Sequence, residues 1–76
     1  MSLLPQVSGS EAVRALQKAG FVLKRQRGSH ALFVHVQDPA RRAVVLIHGS
    51  KAIKPGTLRA ILKGAGLSIE EFRNLI

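Results

Sequence analysis

The chain has 76 residues, of which twelve are Lys or Arg and four are Asp or Glu, so its formal net charge is +8. A chain of this length supports one modest core, and we expect residues 1–76 to form a single domain. The absence of cysteine excludes disulfides, thiolate metal sites and cysteine nucleophiles. No apolar run approaches the roughly 20 residues that a membrane span needs, and the N-terminus lacks the features of a signal peptide. We therefore expect a cytoplasmic protein whose partner is a polyanion and not a membrane.

The first predicted element is a helix over residues 9–19. Ser8 and Glu11 have the spacing of a capping box, in which each side chain binds the backbone N–H of the other residue. Apolar residues then recur at helical spacing as far as Gly20, which is typical of the position that ends a helix.

Three strands are predicted next, over residues 21–26, 29–36 and 42–48. A tight turn at Arg27-Gly28 joins the first two strands, and a turn around Pro39 joins the second and third. Simple alternation in the first strand predicts two faces: Phe21, Leu23 and Arg25 on one, and Val22, Lys24 and Gln26 on the other.

Two helices complete the predicted order. Pro55 fits the first turn of a helix that Gly66 ends, and Ser68 with Glu71 forms a second capping box that opens a short terminal helix. The order α-β-β-β-α, followed by the short helix, predicts an α+β fold with a three-stranded antiparallel sheet covered by helices on one face.

The second and third strands are apolar on both faces, which helices on one side cannot cover. Leu32, Val34 and Val36 alternate with Ala31 and Phe33, and Val45 and Ile47 alternate with Val44 and Leu46. An exposed apolar sheet face is typical of a binding surface, so we expect a protein partner or self-association there. The alternative is that the terminal helix covers this face.

His30 is the candidate catalytic residue. It follows Gly28-Ser29 and the cations Lys24, Arg25 and Arg27. Imidazole exchanges protons near neutral pH, and the 2′-hydroxyl of RNA can attack the adjacent phosphate once a base removes its proton. Cations would stabilise the charge that develops on the phosphate, Ser29 could donate a hydrogen bond to it, and Gly28 permits close approach of the backbone. The alternative is a surface histidine at a strand end.

The other two histidines are weaker candidates for a catalytic role. We expect His35, in mid-strand, to be structural or to lie in an interface, and His48 to be a loop residue unless a hairpin brings it near His30. The chain has four carboxylates, none at a ligand-like spacing to a histidine. We therefore expect no metal site and no cofactor.

A second basic segment precedes the predicted helix at Pro55. Lys51 and Lys54 are expected to bind phosphates there, with Arg59 as a further candidate, because the free N–H groups at a helix N-terminus favour anions. The alternative is a solvated basic surface.

These two segments together are similar to a known family. The chain resembles the HicA toxins of type II toxin–antitoxin systems in three stretches. These are residues 19–22, residues 25–30 with their Gly-Ser-His, and residues 48–63 with the pattern K-x-x-K-P-G-T-L-x-x-I-L-K. The resemblance extends from about residue 8 to residue 72 and implies a fold like that of a double-stranded RNA-binding domain. It further implies an mRNA interferase, an endoribonuclease that a HicB antitoxin inhibits, with His30 at the position of the family's catalytic histidine.

The leading hypothesis is thus a metal-independent endoribonuclease. It would use His30 as general acid or base, and Lys24, Arg25, Arg27, Gly28, Ser29, Lys51 and Lys54 to bind RNA. One alternative is a non-catalytic module that binds double-stranded RNA by its A-form shape. Another is a small interaction protein whose charge serves only to bind an acidic partner.

Overall fold

A computed structural model describes residues 3–47 and 51–76. In chain order, the elements are α1 (Gly9–Lys18), β1 (Phe21–Arg27), β2 (His30–His35), β3 (Arg42–Leu46), α2 (Pro55–Ala65) and α3 (Ile69–Arg73). The predicted α+β order is confirmed. The third strand was expected to reach His48, which lies outside the described residues, and the observed strand ends at Leu46. None of the helices in the two described ranges is long and apolar enough to cross a membrane.

Both predicted capping boxes are present. At the start of α1, the Ser8 backbone N–H donates to Glu11 Oε1 at 2.8 Å, and the Glu11 N–H donates to Ser8 Oγ at 3.2 Å. Ser68 and Glu71 make the same pair of bonds at the start of α3, at 2.9 and 3.0 Å. The bond from the backbone of Ser8 is the main reason that the pKa of Glu11 lies below its ordinary value, and Ser68 lowers the pKa of Glu71 in the same way.

The strands form one antiparallel sheet in the order β1-β2-β3. Arg27 pairs with His30, so the first hairpin has a two-residue loop, Gly28-Ser29. Gly28 has a φ of 57°, a left-handed conformation that glycine adopts without a steric penalty. The predicted turn is therefore confirmed, one residue further along the chain than expected.

A β-bulge in β1 corrects the predicted alternation. Leu23 pairs with Phe33, but the next paired residue is Arg25, opposite Leu32, so Lys24 is an extra residue with no cross-strand partner. Directly opposite residues in antiparallel strands share a face. Arg25 therefore lies on the face of Leu32, and the prediction that it shares the face of Leu23 is wrong.

One face of the sheet, the inner face, packs against the helices. Its buried residues are Phe21, Ala31, Phe33, Ala43 and Val45, and they form one core with side chains from all three helices, among them Leu16, Leu58, Leu62 and Phe72. Phe72 of α3 is fully buried in this core. The terminal helix therefore lies on the helical side, and the alternative in which it covers the opposite face is wrong.

The opposite face, here called the open face, carries Val22, Arg25, Arg27, His30, Leu32, Val34, Arg42, Val44 and Leu46. Val22 is 51% exposed, Val44 53% and Leu46 37%, whereas Val34 in the middle of the sheet is buried. Within residues 3–47 and 51–76, this largely apolar surface is left uncovered, as the sequence predicts.

Candidate nucleic-acid interface

Cross-strand pairing arranges the open face in three rows. The row beside the β1–β2 hairpin is Arg27, His30 and Leu46; the middle row is Arg25, Leu32 and Val44; the third is Val22, Val34 and Arg42. Residues directly opposite each other have Cβ atoms about 4.5–5.5 Å apart. His30 therefore lies between Arg27 of β1 and Leu46 of β3.

The first two rows enclose a shallow depression, here called the arginine recess. It has a volume of about 270 Å³ and is lined by Arg25, Arg27, His30, Leu32 and Val44. His30 and both arginines are exposed. The ring of His30 is thus open to solvent and grouped with two guanidinium groups, an arrangement that can hold a phosphate beside a proton-exchanging group.

The hairpin loop that precedes His30 is fixed on both sides. The backbone N–H of Ile47, just beyond β3, donates to the Ser29 carbonyl at 2.8 Å. The side-chain amide of Gln26 donates to the Gly28 carbonyl at 3.0 Å. A Cβ at Gly28 would meet open space, so this glycine is explained by its φ rather than by close packing. These bonds hold the start of β2, and with it His30, in place.

Lys24 is the one member of the basic run that the structure sets apart. As the extra residue of the bulge it is exposed, and it does not line the arginine recess. Its insertion has a second effect, because it keeps Phe21 on the inner face while Arg25 and Arg27, which follow the bulge, share the face of His30. Alternation without a bulge would have put both arginines on the same face as Phe21.

Lys51 and Lys54 lie in a second depression, here called the lysine recess. It has a volume of about 330 Å³, and its lining residues are Leu46, Lys51, Ala52, Ile53, Lys54, Thr57 and Ile61. Leu46 connects the two regions, because it pairs directly with His30. The structure therefore groups Arg25 and Arg27 with His30, and places the two lysines in a neighbouring recess rather than in the same one.

His35 has a structural position. Its ring meets the edge of the Phe21 ring at a centroid distance of 5.1 Å and an angle of 86°, and its Nδ1 accepts the backbone N–H of Gln37 at 3.1 Å. The Arg41 guanidinium lies 5.5 Å from the centroid of the same phenylalanine ring. Arg41 also donates from Nε to the Ala65 carbonyl at 2.8 Å. His48 lies outside the described residues.

Sequence reasoning did not include Leu32, Val44 and Arg42 among the residues of the site. Leu32 and Val44 form the apolar part of the arginine recess, and Arg42 ends the third row. The guanidinium of Arg42 donates to the Pro39 carbonyl at 3.0 and 3.2 Å, so it also supports the β2–β3 loop. The signal for Leu32 and Val44 was present in the apolar character of both faces of the strands.

Within residues 3–47 and 51–76, no three His, Asp or Glu side chains are grouped as a metal site.

The chain matches a family model described as the HicA toxin of bacterial toxin–antitoxin systems, over residues 9–67. This match covers most of the chain, including the hairpin with His30, the sheet and α2. No curated protein matches the chain. The α-β-β-β-α arrangement, like that of a double-stranded RNA-binding domain, agrees with the fold that the resemblance implied. The chain belongs to the HicA toxin family, and it is the toxin of a toxin–antitoxin system.

Proposed function

We propose that this toxin is a metal-independent endoribonuclease that cleaves mRNA in the cytoplasm, with His30 as its general acid or base. The observation that carries the proposal is the arginine recess, in which an exposed imidazole lies with Arg25 and Arg27. Arg27 pairs directly with His30 across the hairpin, and the bulge at Lys24 lets both arginines occupy this face while Phe21 stays on the inner one. Family membership supports the toxin role, and the chemistry of the recess supports the reaction.

The reaction needs one proton removed and one supplied. His30 takes the proton of a ribose 2′-hydroxyl, the 2′-oxygen forms a bond to the adjacent phosphorus, and the bond from phosphorus to the 5′-oxygen breaks. The leaving 5′-oxygen gains a proton from the imidazolium form of His30 or from water, and the other product carries a 2′,3′-cyclic phosphate. Arg25 and Arg27 stabilise the additional negative charge on the phosphate oxygens during this exchange. Lys24, Lys51 and Lys54, with the hairpin residues Gly28 and Ser29, bind the flanking phosphates.

Replacement of His30 by alanine tests the reaction directly. We expect His30→Ala to lose cleavage of a single-stranded RNA by at least about 100-fold, because a positioned acid or base contributes on that scale. RNA affinity should remain, since both arginines are still in place. His35→Gln is the matched control: it changes a histidine of the inner face, so cleavage should persist wherever its thermal melting shows a folded protein.

The alternative, a module that binds double-stranded RNA without cutting it, predicts a different result. Neither the wild type nor the variant would then cleave RNA, although both would bind it. If the wild type cleaves and His30→Ala cleaves equally well, His30 is not the catalytic group and the proposed reaction fails.

We also propose that a HicB-like antitoxin covers the open face and so masks His30. This face combines exposed apolar side chains with arginines in a chain of net charge +8, so a complementary partner would be acidic and partly apolar. Val22→Asp places a carboxylate on the open face and should weaken antitoxin binding about tenfold or more. Leu3→Asp, at a 73% exposed position outside the sheet, is its control and should bind normally. Equal binding by both variants would place the antitoxin elsewhere.

A further inference from the structure

We propose that the arginine recess binds one unpaired nucleotide, with its base lying on Leu32 and Val44, so that the toxin acts on single-stranded rather than double-stranded RNA. This inference rests on the proposed function, because it names the form of RNA that the same site accepts. It differs from the expectation of duplex binding that the fold alone suggests.

The floor of the arginine recess, formed by Leu32 and Val44, is apolar. Arg25, Arg27 and His30 can account for a phosphate without any hydrophobic neighbour. Leu32 and Val44 nevertheless lie between the arginines and the far edge of the sheet, and Val44 is 53% exposed. Exposed aliphatic groups gain nothing from a hydrated phosphate, but they gain from covering the flat face of a base or a ribose.

A duplex cannot offer that contact. In an A-form helix each base face is stacked on its neighbours, and a protein meets phosphates, 2′-hydroxyls and base edges. The face of a base becomes available only when the nucleotide is unpaired and unstacked. The floor of the recess therefore favours a loop, an end or a single strand.

The spacing of the rows suits one nucleotide. His30 and Leu32 are two residues apart on β2, which corresponds to about 7 Å along a strand. A base on Leu32 and Val44 would thus leave its own ribose and phosphate beside the row of Arg27 and His30. Arg25, in the row of the floor, remains available for the preceding phosphate or for stacking on the edge of the base.

The composition of the recess suits an unpaired nucleotide. A purely apolar ligand would cover Leu32 and Val44 but would remove two guanidinium groups from water without neutralising them. An unpaired nucleotide supplies both an apolar face and an anionic phosphate. The three phenylalanines do not contribute, since Phe21, Phe33 and Phe72 are buried in the core.

The test compares two valines of the open face in a protein that cannot cut its ligand. In the full-length His30→Ala background, Val44→Thr makes the floor of the recess polar without changing its shape. Val22→Thr is the matched control: it lies on the same face, with 51% exposure against 53%, but does not line the recess. The probes are a 12-nucleotide unstructured oligoribonucleotide and the same strand annealed to its complement, with affinities measured at one fixed salt concentration.

We expect the single strand to bind at least about tenfold more tightly than the duplex. Val44→Thr should weaken single-strand binding about fivefold and leave duplex binding unchanged, because only the unpaired base loses an apolar contact. Val22→Thr should bind both probes as the parent does. Equal or tighter duplex binding, or identical affinities for the two valine variants, would overturn the inference.

A third result would assign the floor to the protein partner instead. If Val44→Thr, with His30 intact, escapes inhibition by the antitoxin but binds and cleaves RNA normally, the apolar floor serves the antitoxin alone, and the inference is wrong. Because the affinity measurements use a variant without His30, they do not depend on the catalytic role of that residue. Failure of the proposed reaction and failure of the base-binding recess would therefore be seen separately.

Discussion

The two faces of the sheet come from the same three strands but are built by different rules. On the inner face, Ala31, Phe33 and Val45 follow strict alternation and are buried in the core. On the open face, Arg27 lies opposite His30 across the hairpin, and a bulge in β1 overrides alternation so that Phe21 remains on the inner face. The residues of the inner face are therefore explained by packing in the core. Those of the open face are not, because its charged and apolar side chains remain in water and form the candidate site.

The largest expected contrast is in stability. Phe33→Ala removes a 2% exposed ring from the inner face and should lower the free energy of unfolding by about 3–5 kcal/mol, because it loses both burial and packing. Val44→Ala, on the adjacent strand but on the open face, should cost less than about 1 kcal/mol. Urea denaturation of both variants, followed by circular dichroism, measures the difference.

Equal losses of stability in these two variants would contradict the division between the faces. Such a result would mean that the open face is covered in solution, for example by a second copy of the chain. Sedimentation of the wild type over a range of concentrations would then show whether the chain self-associates.

A smaller contrast separates two single-residue deletions in β1. Deletion of Lys24 removes the unpaired residue of the bulge and leaves every other pair in register, so only one exposed contact to a flanking phosphate is lost and cleavage should stay within about threefold of wild type. Deletion of Gln26, two positions later, removes a paired residue. If the bulge is kept, Arg27 takes the position opposite Ala31 on the inner face. If the bulge disappears instead, Arg25 takes that position, so one arginine leaves the open face in either case. Cleavage should fall at least about tenfold, the scale of one charge-assisted hydrogen bond.

Single-turnover cleavage of the same oligoribonucleotide measures both deletions, and thermal melting checks that each variant folds. The reverse order, with Lys24 essential and Gln26 dispensable, would show that the cation of Lys24 matters more than the register. If β1 alternated without a bulge, deletion of Lys24 would instead move both arginines to the other face of the sheet, and cleavage would be lost.

This contrast also shows how far the sequence alone could lead. Capping boxes at Ser8 and Ser68, the turn at Gly28 and the order of elements could be predicted, because each depends on a few neighbouring residues. The proximity of His30 to arginines also followed from the short hairpin. The bulge could not be predicted, since no glycine or proline marks Lys24, and it forms because pairing on either side must keep both Phe21 and Ala31 in the core.

The separate position of Lys51 and Lys54 has a similar origin. The two basic segments lie more than twenty residues apart in the chain, and their distance in space depends on how α2 packs against β3. That packing is close, because a Cβ on Gly64 of α2 would lie 2.5 Å from the Arg42 carbonyl. A local pattern contains no information on such a contact, so the sequence could identify both basic segments but not their assignment to two recesses.

The smallest expected effect lies on the helical side, where stability should change without any change at the open face. Ser8→Ala removes the bond to the Glu11 N–H and should destabilise the protein by about 1 kcal/mol, with cleavage unchanged at temperatures well below melting. The effect of Glu11→Gln on stability should depend on pH. Because folding lowers the pKa of Glu11 from an ordinary value of 4.5, its carboxylate stabilises the fold above that value, and this contribution is lost as the pH falls through the lowered pKa.

The melting temperatures of wild type and Glu11→Gln should therefore differ at pH 7 and converge in acid. Glu71→Gln is the matched variant, since its carboxylate also accepts the backbone N–H of a capping serine, Ser68, and its pKa is lowered for the same reason, but it caps the five-residue α3 instead of the ten-residue α1. Its effect should be the smaller one, because fewer helical residues depend on the cap. If either variant altered cleavage while the protein remained folded, the helical side would be coupled to His30, and the two faces could no longer be treated as independent.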